Sequence, residues 1–361
     1  MVTPESTVDL GDMNQQVPEY YRTLSQRVSR ILDVIGYSQE DRDRKVRCAT
    51  TWEVFRNITK LFQPDIFSNK YIFGSRGEGS TGPGLQSDRD ILHEDDRLNI
   101  VTDLSECQPC KLNLLMVCDD NTHPGYVKLQ NVEMLPGNIP CLVFQPQNQS
   151  DRVDSYGRIT IPNQFLHRLR SAPAISGPSI HTRHIVQELS SDAVIAIRCT
   201  RWPNEVNEWL QRRRPHGWPK SHFIQNARKD GCFASAVGHL HSPERDLEWR
   251  LSFSFTEREL IRSFEDTAMK VYILLKMIKK TYIEPVLGDA FSSYQCKVCI
   301  LWVREKTPTE LWRTENLLYC LTLCVKQLYE WVSMGYCPDY FIVTNNIYDR
   351  KIFGETQLIL T

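Results

Sequence analysis

The sequence predicts an α+β fold, with a mixed sheet core, flanking helices and a helical C-terminal domain. Three observations carry this. Apolar residues recur at helical spacing near the N-terminus, short strand-like runs fill the middle, and the signal turns mostly helical from Pro203 onward. Residues 1–17 are polar and are expected to form a disordered tail. Leu24, Val28, Ile31, Leu32 and Ile35 give one helix, ended by Gly36, and a second runs from about Gln39 to Phe62. Lys70-Tyr71-Ile72-Phe73 leads into a glycine-rich turn, Gly74 to Gly84.

Strands are expected at Asp90–Leu92, Arg97–Val101, Leu112–Val117, Tyr126–Leu129, Arg183–Glu188 and Ala193–Arg198. Helices are expected at Glu205–Gln211, Thr256–Phe264, Thr267–Tyr282, Asp289–Val303 and Thr314–Met334. This divides the chain into a tail (1–17), a core with an N-terminal helix (18–200) and a helical domain (201–361).

The 361 residues suit two domains at about 150 residues each. Lys plus Arg is 43 and Asp plus Glu is 44, which excludes a protein that coats nucleic acid with its whole surface. A local basic face stays open, because net charge says nothing about distribution. Twelve cysteines are too sparse for a disulfide scaffold. The start, MVTPESTVDLGDMNQQ, lacks the basic and apolar regions of a signal peptide, and no run approaches the ~18 apolar residues of a membrane span. A cytoplasmic location with reduced thiols and no membrane partner is expected.

The most informative segment is Phe73-Gly74-Ser75-Arg76-Gly77-Glu78-Gly79-Ser80-Thr81-Gly82, followed by Asp88-Arg89-Asp90. Gly77 to Gly82 matches G-x-G-x-x-G, but Pro83-Gly84 follows where a dinucleotide site needs an apolar helix. A plain surface loop is one remaining reading. A phosphate cradle feeding a metal site is the other: small residues let backbone N–H groups approach phosphate oxygens, and Ser75 adds a hydroxyl. On a strand, Asp88 and Asp90 leave the same face about 7 Å apart. Paired carboxylates are best tolerated around Mg²⁺ or Mn²⁺, and Asp192 precedes an apolar strand as a third acid.

With these motifs the chain resembles the nucleotidyltransferases of the cyclic GMP–AMP synthase-like receptor group, which share the male-abnormal (Mab) domain. Gly74-Ser75 resembles their G-S loop, and Asp88, Asp90 and Asp192 match their three metal-binding acids. Trp249-Arg250-Leu251-Ser252-Phe253-Ser254, Phe291-Ser292-Ser293-Tyr294, Trp202-Pro203 and Gly217-Trp218-Pro219 resemble further family segments. The resemblance covers residues 20–345 and implies a nucleotidyltransferase-type core with an N-terminal spine helix.

It also implies two metal ions on Asp88, Asp90 and Asp192, and donor phosphates at Gly74 and Ser75. By the same resemblance Arg250 and Ser252 face a nucleotide, Ser293 touches a triphosphate and Tyr294 stacks on a base. Arg supplies a planar donor fork and Tyr a rigid stacking face. A salt-bridged core arginine and ordinary helix packing are the plainer readings of Arg250 and Tyr294. Lys276, beside Lys279-Lys280, is the phosphate-binding lysine expected here, against a solvated lysine face.

The family's DNA-sensing member carries a zinc-binding insertion after the W-R-L-S-F segment, whereas residues 255–278 here contain neither Cys nor His. No zinc is expected. Cys107-x-x-Cys110 and Cys296-x-x-Cys299 have zinc spacing, but the second pair sits in an apolar segment and reads as packing.

The implied reaction joins ATP and/or GTP into a cyclic dinucleotide, read by a downstream receptor in innate immunity. Relatives are activated by long nucleic acid on a basic face, for which Arg27, Arg30, Arg44, Lys45, Arg212 and Arg213 are candidates. Double-stranded RNA, read mostly by shape, is the expected activator. The alternatives are a catalytically silent binding scaffold and an enzyme that extends RNA ends.

Overall fold

The computed structural model describes residues 17–62, 68–85, 89–147, 151–168, 179–183 and 190–350. Most of the expected tail and Asp88 lie outside them. The strands are β1 (Ser68–Phe73), β2 (Arg89–Asp95), β3 (Leu98–Val101), β4 (Leu112–Val117), β5 (Tyr126–Leu135), β6 (Ile139–Leu142), β7 (Arg152–Val153), β8 (Ile159–Thr160), β9 (Ser179–Arg183), β10 (Ser190–Cys199), β11 (Cys232–Ser235) and β12 (Glu248–Ser252). The helices are α1 (Glu19–Leu32), α2 (Gln39–Thr59), α3 (Gly74–Glu78), α4 (Phe165–Arg168), α5 (Asn207–Gln211), α6 (Ser221–Asp230), α7 (Ser254–Arg262), α8 (Asp266–Ile278), α9 (Glu284–Leu287), α10 (Ser293–Lys306) and α11 (Leu317–Met334).

The sheet runs β1-β2-β10-β11-β12-β5-β4-β3, and a pairing of Cys199 with Ile100 brings β10 and β3 together. β2 lies parallel to β10 and β3 to β4, while β1–β2, β10–β11, β11–β12, β12–β5 and β4–β5 are antiparallel. This is the mixed sheet expected from the sequence. The sheet does not end near residue 200, however. Cys232-Phe233-Ala234-Ser235 and Glu248-Trp249-Arg250-Leu251-Ser252 continue it to residue 252. Their four and five residues are too short to stand out from neighbouring helices by periodicity.

Local chemistry explains the flanking helices. Gly36, at φ +94°, breaks the first helix, and Ser38 caps α2 by accepting from the Asp41 N–H at 3.2 Å. Ser292 and Gln295 form a capping box at the start of α10. α1 buries Ser25, Ser29 and Leu32. Lys270 of α8 donates to Ser29 Oγ at 2.9 Å and pairs with Asp33 at 2.6 Å. Trp249, Trp209, Tyr272, Cys299 and Leu317 are all within 1% of full burial, so one core joins the sheet to the C-terminal helices.

Candidate active site

β1 ends at Phe73, whose Cα pairs with that of Asp90 on β2. The chain then turns sharply at Gly74, at φ +59°, into the single helical turn α3. The expected glycine-rich loop therefore begins as a helix. A Cβ on Gly74 would fall 1.8 Å from Asp90 Oδ2, so only glycine lets the backbone lie against this carboxylate. On the other side of β2, β10 runs parallel with Asp192 in register with Asp90, placing the two backbones about 4.8 Å apart. Asp88 lies outside the described residues and Asp192 is described in its backbone alone. Among the described residues no three Asp, Glu, His or Cys side chains converge as metal ligands.

Two adjoining chambers open beside the turn. The smaller, about 330 Å³, is lined by Gly74, Asp90, Glu78 and Lys297, and the larger, about 520 Å³, by Tyr126, Arg245 and Asn345. Arg250, Ser252, Ser254, Glu257 and Tyr294 line both. Strand alternation accounts for the W-R-L-S segment: Trp249 and Leu251 enter the core while Arg250 and Ser252 reach the chambers. Ser252 and Ser254 share a hydrogen bond of 2.6 Å.

Lys276 is not on a solvated face. It is buried behind the turn, and Nζ donates to Ser75 Oγ at 2.7 Å, Ser80 Oγ at 3.2 Å and Ser80 O at 3.3 Å. Burial lowers its pKa from 10.5 to about 8, and Glu78 only partly offsets this. Sequence reasoning missed its companions. Glu78, 1% exposed, pairs with Lys297 at 2.6 Å, and Lys297 also donates to Glu257 at 3.2 Å. Burial works to lower Lys297, but Glu78 and Glu257 outweigh it and hold its pKa well above the usual lysine value. Burial pushes the Glu257 carboxyl up, against Lys297. The Tyr294 hydroxyl donates to Asp339 at 3.2 Å and reaches Glu257 at 3.5 Å. Its ring thus stands at the boundary of the chambers. Ser293 is exposed at the first residue of α10, and its neighbours Ser292 and Tyr294 face the larger chamber.

Cations hold the rest of the turn by its carbonyls. Lys45 donates to Thr81 O at 2.7 Å and Gly36 O at 2.9 Å, Lys280 to Gly84 O at 2.9 Å, and Arg262 to Gly77 O at 2.8 Å. The Tyr37 hydroxyl donates to Pro83 O at 2.8 Å. Arg258 bonds both Glu53 of α2 at 2.6 Å and Ile72 O of β1 at 3.0 Å, fixing the strand that delivers Gly74.

The basic candidates divide. Arg27, Arg30, Arg44 and Arg213 are exposed. Lys45 is committed to the turn. Arg212 is held inside by Glu208 at 3.0 Å, Glu305 at 3.4 Å and Tyr340 O at 2.9 Å, over the Trp302 ring. Its neighbours in the Arg-Arg-Arg run concealed this, because a run of charge does not say which member turns inward. Cys107 is half-buried and Cys110 exposed before β4, while Cys296 and Cys299 are buried on α10.

A mixed sheet with a glycine–serine turn against a strand acid, followed by a helical bundle, is the architecture of a nucleotidyltransferase. Family models match as the Mab-21 protein nucleotidyltransferase domain over residues 111–263 and the Mab-21 protein HhH/H2TH-like domain over residues 267–358. The chain belongs to the Mab-21 family. It is similar to Protein mab-21-like 3 of Danio rerio, 23% identical over 173 residues, 47% of this chain and 43% of that one. It is also similar to a Cyclic GMP-AMP synthase-like receptor of Magallana gigas, 28% identical over 172 residues, 43% of this chain and 27% of the receptor. The aligned part spans less than half the length of either relative. The glycine turn and Asp90 precede the segments that the two family models match. No helix among the described residues is long and apolar enough to cross a membrane.

Proposed function

We propose that the chain is a metal-dependent nucleotidyltransferase that joins two nucleoside triphosphates, ATP and/or GTP, into a cyclic dinucleotide. The single observation that carries this reading is the contact of the Gly74 backbone with the Asp90 carboxylate at the end of a two-chambered cleft. The oxygen donors of Asp90, at the wall of the smaller chamber, suit a hard divalent cation, with Asp88 and Asp192 completing the set. Mg²⁺ or Mn²⁺ bound there supplies two-metal chemistry, activating the attacking hydroxyl and stabilising the leaving pyrophosphate.

The chain's own residues bind and orient. Gly74 and Ser75 hold donor phosphates, with the charge of Lys276 behind them. Arg250 and Tyr294 position bases at the chamber boundary, and Lys297 keeps the carboxylates beneath them compensated. The similarity to a cyclic GMP-AMP synthase-like receptor supports the cyclic product. Double-stranded RNA is the proposed activator, read by Arg27, Arg30, Arg44 and Arg213, in a cytoplasmic innate-immune role with a downstream cyclic-dinucleotide receptor.

The test incubates the full chain and its Asp90→Asn variant with labelled ATP, GTP and Mn²⁺, with and without double-stranded RNA. A cyclic dinucleotide made by the parent and not by the variant supports the reading. Labelled RNA would replace it with extension of RNA ends. No product in any arm would leave a binding scaffold.

A further inference from the structure

Behind the wall of the larger chamber, two buried polar atoms face each other without a hydrogen bond. They are Glu248 Oε1 and His123 Nδ1, 3.8 Å apart, and neither has a hydrogen-bond partner among the described residues. Glu248 is fully buried on β12, and its other oxygen, Oε2, accepts from the backbone N–H of His239 at 2.8 Å. The His123 and His239 rings stack, with centroids 3.7 Å apart and planes 16° from parallel. An open buried carboxylate oxygen is costly, and a proton on His123 Nδ1 is what would meet it.

The stack is built into the chamber wall. Gly238 and Leu240, on either side of His239, line the larger chamber, and so does Tyr126, just beyond His123. The Tyr126 ring stands edge-on to His239 at 5.4 Å. His241 N–H donates to His239 Nδ1 at 3.4 Å. The two rings thus join the segment before β5 to the segment between β11 and β12.

A proton on His123 Nδ1 faces the open Glu248 oxygen and is compensated there. A proton on His239 has no such place. That ring is buried, its Nδ1 already accepts from His241, and its face lies on His123, so a second charge would be stacked on the first. Lys128, opposite Glu248 on β5, is spent on Asp119, Asp154 and Glu244. Burial lowers the His239 pKa below its ordinary 6.5, His123 and His241 add to this, and Glu248 and Asp349 offset only part of it. An opened wall therefore binds more protons than a closed one. The closed wall is fully stable above pH 6.5 and loses stability as pH falls below it.

We propose that the His123–His239 stack is an acid-released latch on the larger chamber, closed while at most one ring carries a proton and opened when both do. Opening frees Gly238 and Leu240 and removes one wall from whatever the chamber holds. The latch goes beyond the nucleotidyltransferase reading and does not depend on it.

The experiment is hydrogen–deuterium exchange of the full chain, read by mass spectrometry on peptides covering residues 237–242 and corrected for the intrinsic effect of pH. In the parent, protection there should fall by up to about tenfold per pH unit below 6.5, the most that one proton allows, while peptides of α11 keep theirs. His239→Phe keeps a ring in the stack that cannot take a proton, so its protection should stay flat. His123→Phe removes the charge that opposes the second proton and should make the fall shallower, and it decides the matter if His239→Phe does not fold. Protection that is constant in the parent, or that falls equally in the parent and the variants, overturns the latch. ATP with Mn²⁺ should bind the parent more weakly than His239→Phe at about pH 5.5 and equally at about pH 7.5. Equal binding at both overturns control of the chamber. Absence of ATP binding at either pH removes the nucleotidyltransferase reading, and exchange alone then decides the latch.

Discussion

Gly74 and Asp90 occupy each other's space: the side chain that any other residue would place at 74 would sit 1.8 Å from Asp90 Oδ2. Gly74→Ala must push the carboxylate aside and also hold a left-handed backbone, costing about 1–2 kcal/mol for the backbone alone. We expect a folded but weakened variant by urea denaturation, with product formation reduced at least as far as in Asp90→Asn. Wild-type turnover in Gly74→Ala would remove the turn from the chemistry.

Lys276 gives a pH signature. Its pKa falls from 10.5 to about 8 on folding, so between these values the unfolded chain binds more protons. Stability from this group therefore rises as pH climbs through that window, and its cost is fully present below about 8. Lys276→Met should flatten the stability profile between pH 8 and 10 and gain about 3 kcal/mol at pH 7, less the bonds lost to Ser75 and Ser80. ATP affinity of the parent should fall as pH rises past about 8, and that of the variant should not.

Lys297 compensates the buried carboxylate of Glu78 and the half-buried one of Glu257. Lys297→Met leaves Glu78 and Glu257 without their cation, and we expect a loss of about 3–5 kcal/mol. Adding Glu78→Gln should recover part of it. Denaturation of the single and double variants measures both numbers, and equal stabilities would show that the pair is uncoupled.

Arg212 and Arg213 are adjacent in sequence and opposite in circumstance. Arg212→Ala strips Glu305 of a partner and should lower Tm at every salt concentration. Arg213→Ala should leave Tm unchanged. If duplex RNA binds this face, the same variant should reduce the slope of log affinity against log salt by up to about one. Electrophoretic mobility shifts at several salt concentrations separate the two effects.

Much of this architecture was legible in the residues. Gly36 marks the end of the first helix, Gln39–Phe62 is helical throughout, and β4 has the expected bounds. The Gly74-Ser75 turn falls in the expected glycine-rich segment after a strand, whereas the register of Asp90 with Asp192 joins strands far apart in the chain and has no local sign. Less visible were contacts distant in sequence. Lys297 meets Glu78 across 219 positions, and no local pattern marks an ion pair made by two separate helices. β11 and β12 were hidden because a four-residue strand flanked by helices carries too few alternations to read. Arg212 turned inward because two aromatic rings and Glu305 waited there, and all of these lie far along the chain.

The grip of Lys45, Tyr37 and Lys280 on the turn is directed at main-chain oxygens of residues 81, 83 and 84. Such a grip is blind to the identity of the residue being held. Thr81 can therefore be exchanged for other small polar residues without loosening the Gly74 end of the turn, while the cations that hold it cannot be exchanged. Variation between relatives should then gather in the strap and spare the hands.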